Sequence, residues 1–389
     1  MWQQRSRVQW LENGDKNTKF FHGIATQRKR RNFIKELRDE EGVWQNDEHI
    51  FLGLLVGFYE KLFASSNPKN MEQILNGVQE VVTDSMRTKL AQAYSVDEVE
   101  KAIKDMAPLK APGPDGMPPL FYHTYWSDIG MDITQAILSC LNSSSLLKSI
   151  NHTFITLIPK VKNPERVSKF RPISLCNVIY KIINEVLANR LKPILNDIIS
   201  ESQSAFITDG LITDNVLIAF ESLHHMKTNC TGRTGYMALK LDMSKAYDKV
   251  EWCFLEIFLL KMGFQESWVA MILECITTVT YSILVNGEPK GLITPTRGLR
   301  QGDPLSPYLF LFCAEGLNAI LNQASESGDI HGFSAILADD CLLFCWSTLE
   351  ECEKIQQILA CYEEASGQVI NRDKTTLFFS KNTVSNPKK

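Results

Sequence analysis

Residues 337–345 read LADDCLLFC, with two adjacent aspartates between apolar arms, and residues 237–242 read MALKLD, an apolar run that ends on a third aspartate. A charged tip between apolar arms is the pattern of a β-hairpin, and the earlier run is that of a buried strand. Taken alone, an Asp-Asp pair is more often a surface turn than a metal site. At the end of a buried strand, however, two like charges are costly unless a cation is shared between them. Mg²⁺ takes carboxylate and phosphate oxygens, so Asp242, Asp339 and Asp340 are the candidate ligands of a two-metal site that activates a 3′-hydroxyl for in-line phosphoryl displacement.

Outward from these strands, Phe154–Pro159 predicts a short strand flanked by Lys160, Lys162, Lys169 and Arg171, followed by an amphipathic helix from about Val178 to Leu195. Ser95 and Glu98 form a capping-box pattern, and Val96, Val99, Ile103 and Met106 share one face, so a helix runs from there to about Met106. The segment KAPGPDG (residues 110–116) cannot continue it, because proline lacks a donor and glycine favours turns. Residues 49–63 (HIFLGLLVGFYEKLF) have helical spacing and predict a packing helix. Near the start, Arg28, Lys29, Arg30 and Arg31 stand in a row, with Trp2, Trp10, Phe20 and Phe21 in the same stretch. That composition suits either RNA contact through phosphates and stacking or a solvated helix face. A domain boundary is expected near residue 95, with a helical linker region over 1–94.

The 389 residues are 44% hydrophobic and 22% charged with a formal net charge of -4, an ordinary globular balance that lacks the overall basic excess of many nucleic-acid binders. The ten cysteines contain no Cys-x-x-Cys pair, which argues against a zinc knuckle and for buried thiols in a reducing compartment. No apolar run reaches the roughly 18 residues of a membrane span, and the first residues lack a secretory pattern, so a soluble intracellular protein is expected.

The order of segments along the chain resembles the reverse transcriptase region of a LINE-type (non-LTR) retrotransposon polyprotein, of the kind abundant in plants. SRVQWLENGDKNTKFFHGIATQRKRRN is similar to the linker that follows the endonuclease in that family, KAPGPDG to the segment before the fingers, and LIPKVKNPERVSKFRPISLCNVIYKIINEVLANRL to the fingers. QSAFITDGLITDNVLIAFE resembles the segment after them. LDMSKAYDKVEW resembles motif A (within 239–252), RGLRQGDPLSPYLFLF motif B (297–312), LADD the motif C box (337–345) and SGQVINRDKT motif D (366–376). The resemblance implies an α+β right-hand polymerase, with fingers and palm over 95–389 and an antiparallel palm sheet packed by helices. It implies RNA-directed DNA polymerase activity on an RNA template, a DNA primer and dNTPs, with two Mg²⁺ ions held by Asp242, Asp339 and Asp340. Tyr247 matches the steric gate against a ribose 2′-hydroxyl, and Lys160 and Arg171 match the fingers cations on the triphosphate. Gln301 and Gly302 match the turn against the nascent base pair, and Lys374 matches a general acid for the pyrophosphate. A nuclear or cytoplasmic location follows from the element's life cycle.

Some features depart from the family pattern. Thr208, Asp209 and Gly210 stand where Pro-Gly-Arg is usual, and Leu337-Ala338 replaces an aromatic-alanine pair. Between Gly332 and Ala338 relatives have a longer, hairpin-forming stretch; here only Phe333–Leu337 separate them, shorter by about ten residues, which predicts a shifted or missing strand before Asp339. The chain stops soon after motif D, so the thumb is expected to be absent, the chain to be truncated, and extension by the isolated chain to be near background although nucleic acid is bound. Two alternatives share these residues: a catalytically inactive retrotransposon relic that only binds nucleic acid, and a group II intron-type maturase.

Overall fold

The computed structural model describes residues 19–200, 203, 212–228, 234–331, 333–337 and 340–383. Thirteen helices and ten strands follow one another there. The first part of the chain holds α1 (Lys19–Arg31), β1 (Leu37–Arg38), β2 (Trp44–Gln45), α2 (Glu48–Phe63), α3 (Met71–Leu75), α4 (Asp84–Leu90), α5 (Val96–Asp105) and α6 (Pro119–Ser143). Next come α7 (Lys148–Asn151), β3 (His152–Pro159), β4 (Phe170–Cys176), α8 (Val178–Ile198), α9 (Ile212–Thr228) and β5 (Tyr236–Asp242). The remainder is α10 (Trp252–Lys261), α11 (Glu266–Thr277), β6 (Thr280–Val285), β7 (Glu288–Ile293), α12 (Ser306–Glu326), β8 (Phe333–Leu337), β9 (Asp340–Trp346), α13 (Leu349–Ser366) and β10 (Thr376–Phe379).

The palm sheet has the order β10-β5-β9-β8 and is antiparallel throughout. Alternation decides its two faces. Met237, Leu239 and Leu241 of β5 join Cys341, Leu343 and Cys345 of β9 in the main core, which α12 crosses with Leu309, Leu311, Phe312 and Leu317 buried. On the opposite face, Ala238, Leu342 and Phe344 meet Met226 of α9. The shortened stretch before the aspartates does not lose its strand: Phe333–Leu337 form β8, paired with β9 from Phe333↔Phe344 to Leu337↔Asp340 across a two-residue connection. Five residues are a normal strand length. As the edge strand it pairs with β9 along its whole length.

The second sheet has the order β4-β3-β6-β7, with β3 and β6 parallel and the other pairs antiparallel. Helix α2 covers it. Phe51, Leu55, Tyr59, Leu62 and Phe63 pack on Ile155, Leu157, Tyr281 and Ile283, and Asp47 caps the helix by accepting from the His49 and Ile50 amides at 2.9 and 3.2 Å. The capping box of α5 forms as the sequence predicts: the Ser95 amide donates to Glu98 and the Glu98 amide to Ser95 Oγ. Arg28–Arg31 form the exposed last turn of α1, whereas Trp2, Trp10 and the Phe20 and Phe21 side chains lie outside the described residues. Among the described residues, cysteines are free thiols, and no helix is long and apolar enough to cross a membrane.

A buried polar node ties the loop before α12 to helices α7, α8 and α11. Arg300 and Asp303, each 3% exposed, pair at 3.4 Å. Arg300 also donates to Tyr180 Oη, to the Cys275 carbonyl (2.7 Å) and to Asn151 Oδ1 (2.5 Å). Asp303 in turn accepts from Tyr180 Oη (2.9 Å), Asn184 Nδ2 (2.7 Å) and the Leu305 amide (2.9 Å). Every charge is therefore matched, which a dry interior requires. Arg300→Leu leaves Asp303 without its cation and should cost about 3–5 kcal/mol in urea unfolding; a loss below about 1 kcal/mol would show that the node contributes little.

Candidate active site

Asp242 closes β5, half-buried, and the register sets Asp340, the first residue of β9, directly opposite it. Since 238, 240 and 242 alternate with the core-facing 237, 239 and 241, Asp242 stands on the face turned away from the main core. Asp339 and Ala338 lie outside the described residues, as does the side chain of Asp340. The expectation that Asp242 faces Asp339 thus falls on an undescribed position, while the backbone opposite Asp242 belongs to Asp340. The hairpin is held at its base by Glu351, buried at 4% exposure: its carboxylate accepts from the His331 amide (3.1 Å) before β8 and from the Trp346 amide (3.0 Å) at the end of β9. The His331 ring lies flat on Trp346 at 3.9 Å.

Residues 369–371 run alongside the end of β5. The Ser244 amide donates to the Val369 carbonyl (2.7 Å), Met243 bridges Ile370, and the Asn371 amide donates to the Asp242 carbonyl (2.7 Å). This strap delivers two side chains to the Asp242 carboxylate: Asn371 Nδ2 donates to Oδ2 at 3.0 Å, and the Lys374 ammonium stands 3.7 Å from the same oxygen. Lys374 is mostly exposed, so the pair adds little stability; it marks a place where a cation is accommodated. Asn371 was not singled out from sequence, because an asparagine in a loop carries no signal beyond turn propensity.

After Asp242 the chain turns through Lys245, whose φ is +56°, into a short 3₁₀ turn at Tyr247–Lys249. The Tyr247 ring stacks on Phe310 of α12 at 4.9 Å and 16°, and its carbonyl accepts from the Leu299 amide at 2.7 Å. The Gly298 amide donates to the Val250 carbonyl, and a Cβ at Gly298 would meet the Asp248 carbonyl oxygen at 2.8 Å, so only glycine allows this approach. Further along, the Gln301 carbonyl accepts from the Ser174 amide of β4 at 3.0 Å, and Gly302 takes φ +105°, a left-handed turn closed to most side chains. Gln301 and Gly302 are thereby anchored to the fingers hairpin.

Lys160 and Arg171 occupy that hairpin: the Lys160 amide bonds the Lys169 carbonyl at 2.8 Å, and Arg171 is exposed opposite Ile158. Partial burial pulls the Lys160 ammonium below its usual range, Asp248 works against that shift, and Arg171 and Lys374 reinforce it. Lys160, Arg171, Asp248 and Lys374 therefore share one electrostatic neighbourhood. Asp248 is 7% exposed, and burial pushes its carboxyl up to about 6 against the pull of Lys245, Lys160, Lys249 and Arg297. Arg297 pairs at 3.2 Å with the wholly buried Glu251, which also accepts from Ser65 Oγ (2.6 Å) and the Ser66 amide (2.8 Å). Thr208, Asp209 and Gly210 lie outside the described residues.

A family described as reverse transcriptase (RNA-dependent DNA polymerase) has a model that matches residues 158–386. Among curated proteins, the chain is 27% identical over 381 residues to the transposon TX1 uncharacterized 149 kDa protein of Xenopus laevis, an alignment that covers 96% of this chain and 29% of that one. It is 32% identical over 237 residues to the retrovirus-related Pol polyprotein from type-2 retrotransposable element R2DM of Drosophila melanogaster, covering 60% of this chain and 22% of the relative. A Pol polyprotein from the type-1 retrotransposable element R2 of Popillia japonica is 30% identical over 194 residues, with 48% and 26% covered. The chain spans less than a third of the length of each.

Proposed function

From the premise that this chain belongs to the reverse transcriptase (RNA-dependent DNA polymerase) family, in its LINE-type retrotransposon branch, we propose that it performs RNA-directed DNA synthesis, extending a DNA primer on an RNA template with dNTPs. The observation that carries the reading is the pairing of β5 with β9, which sets Asp242 opposite Asp340 at the mouth of the palm while residues 369–374 bring Lys374 to the same carboxylate. The family depends on divalent metal, and the residues present fit such an ion: Asp242 offers hard carboxylate oxygen where an ammonium already finds room. Asp242, Asp339 and Asp340 would hold two Mg²⁺ ions. Bound there, the metal supplies a lowered hydroxyl pKa and neutralisation of charge developing on the phosphates.

The chain's own residues do the rest. Lys160 and Arg171 neutralise the triphosphate from the fingers side, Arg as a fork and Lys as a point charge. Tyr247, fixed by its stack on Phe310, walls off the ribose 2′ position, and a buried hydroxyl there would find no partner. Gln301 and Gly302, tied to β4 through Ser174, present backbone to the nascent pair. The primer 3′-hydroxyl gives up its proton to solvent as its oxygen bonds to the α-phosphorus, the α–β bridging bond breaks, and Lys374 gives a proton to the departing pyrophosphate. Residues 1–94 act as a linker that precedes fingers and palm at 95–389, with Arg28–Arg31 offered to RNA phosphates. The intact β8 supports the enzyme over a relic that only binds nucleic acid.

Incorporation of a single dTTP on poly(rA)/oligo(dT) in Mg²⁺ tests this reading. Asp242→Asn should lower the rate by about 100-fold or more, and equal rates in parent and variant would overturn it. In the same assay Tyr247→Val should raise ribonucleotide use relative to dNTP use by about 10-fold or more; unchanged discrimination would remove the gate from Tyr247.

A further inference from the structure

Lys245 holds a left-handed backbone (φ +56°), a conformation that non-glycine residues rarely adopt, and its ammonium stands 3.9 Å from the ring centroid of Phe58 on α2. Such strain persists where the surroundings over-determine it, and it clusters at ligand-binding positions. The lysine sits between a proposed metal ligand, Asp242, and the proposed gate, Tyr247, yet neither role involves it.

The charges around it do not balance. One buried carboxylate, Asp248, lies within the influence of Lys245, Lys160, Lys249 and Arg297; Arg297 is already taken by Glu251 at 3.2 Å, and Lys249 also has Glu363 beside it. Burial lowers the Lys245 ammonium to about 8, opposed by Asp248 and reinforced by Lys160 and Lys249. That leaves Asp248 as the one carboxylate shared by Lys245 and Lys160, a surplus of partly desolvated positive charge beside the hairpin that carries Lys160. Such a surplus is matched by a polyanion, not by another side chain.

We propose that Lys245, seated on Phe58, is a third cation of the triphosphate subsite, which makes helix α2, from the region before the polymerase motifs, part of the wall of the nucleotide site. This rests on the nucleotide-binding reading above and names a contact that it does not contain. The ring of Phe58 holds the ammonium by cation–π attraction while it is free of phosphate, so the charge is placed before the ligand arrives. The β- and γ-phosphate oxygens are its partners.

Equilibrium binding of a fluorescent mant-dTTP in Mg²⁺, with inorganic tripolyphosphate as competitor, tests the contact. Asparagine tolerates the left-handed backbone, so Lys245→Asn removes the charge without straining the turn. Lys245→Asn should weaken both mant-dTTP and tripolyphosphate by about 10-fold or more, and Lys245→Arg should stay within about threefold of the parent. Phe58→Leu, which keeps an apolar residue on α2, should weaken both by a smaller factor. Lys245→Asn binding within about twofold of the parent would overturn the proposal. So would a loss confined to mant-dTTP, or an arginine variant as weak as the asparagine one, since either assigns Lys245 to packing. Should Lys245→Asn fail to fold, Phe58→Leu and Lys245→Arg both binding like the parent would overturn it. Absence of mant-dTTP binding in the parent would overturn the nucleotide reading itself, and this proposal with it.

Discussion

The site depends on the antiparallel register between β5 and β9. A slip of one residue would turn Asp242 into the face that holds Leu239, Leu241, Cys341 and Leu343, and bury a carboxylate among apolar side chains. Both faces of the pair are occupied, the inner one by the main core and the outer one by Met226 with Ala238, Leu342 and Phe344, so neither parity is free to change. Glu351 adds a polar constraint by taking the amides at both ends of the hairpin. A short β8 suffices under these conditions, because what positions the hairpin is its base and its partner strand.

A second constraint links this palm to the fingers. Arg300 and Asp303 lie within motif B, and through Tyr180, Asn184, Asn151 and the Cys275 carbonyl they fasten it to α8, α7 and α11. The Gln301 carbonyl then meets Ser174 of β4, so the hairpin with Lys160 and Arg171 is referred to the same rigid node as Tyr247, whose carbonyl takes the Leu299 amide. Rigid support of this kind matters because displacement of a reacting group by about 1 Å can cost about a hundredfold in rate.

Much of this was legible in residue order. The capping box at Ser95, the packing helix over 49–63, the strand ending on Asp242 and the hairpin around the aspartates follow from period and local chemistry, and the structure contains each of them. What stayed hidden is tertiary. Charged Arg300 and Asp303 look like surface residues until Tyr180 and Asn184 arrive from more than a hundred positions away. Asn371 gains meaning only beside Asp242, and Lys245 only over Phe58, contacts that no period in the sequence encodes. The expectation of a displaced strand before the aspartates came from counting residues against relatives, and β8 shows that pairing with β9 governs instead.

The proposed function requires that Asp242 and the tip of the β8–β9 hairpin hold one divalent metal site. Fe²⁺ substituted for Mg²⁺, with ascorbate and peroxide, cuts backbone close to where the ion is bound, and it reads the site without requiring turnover. Cleavage should concentrate near residues 242–244, 338–341 and 371–374 and disappear in Asp242→Asn. Cuts elsewhere, or an unchanged pattern in Asp242→Asn, would contradict the claim.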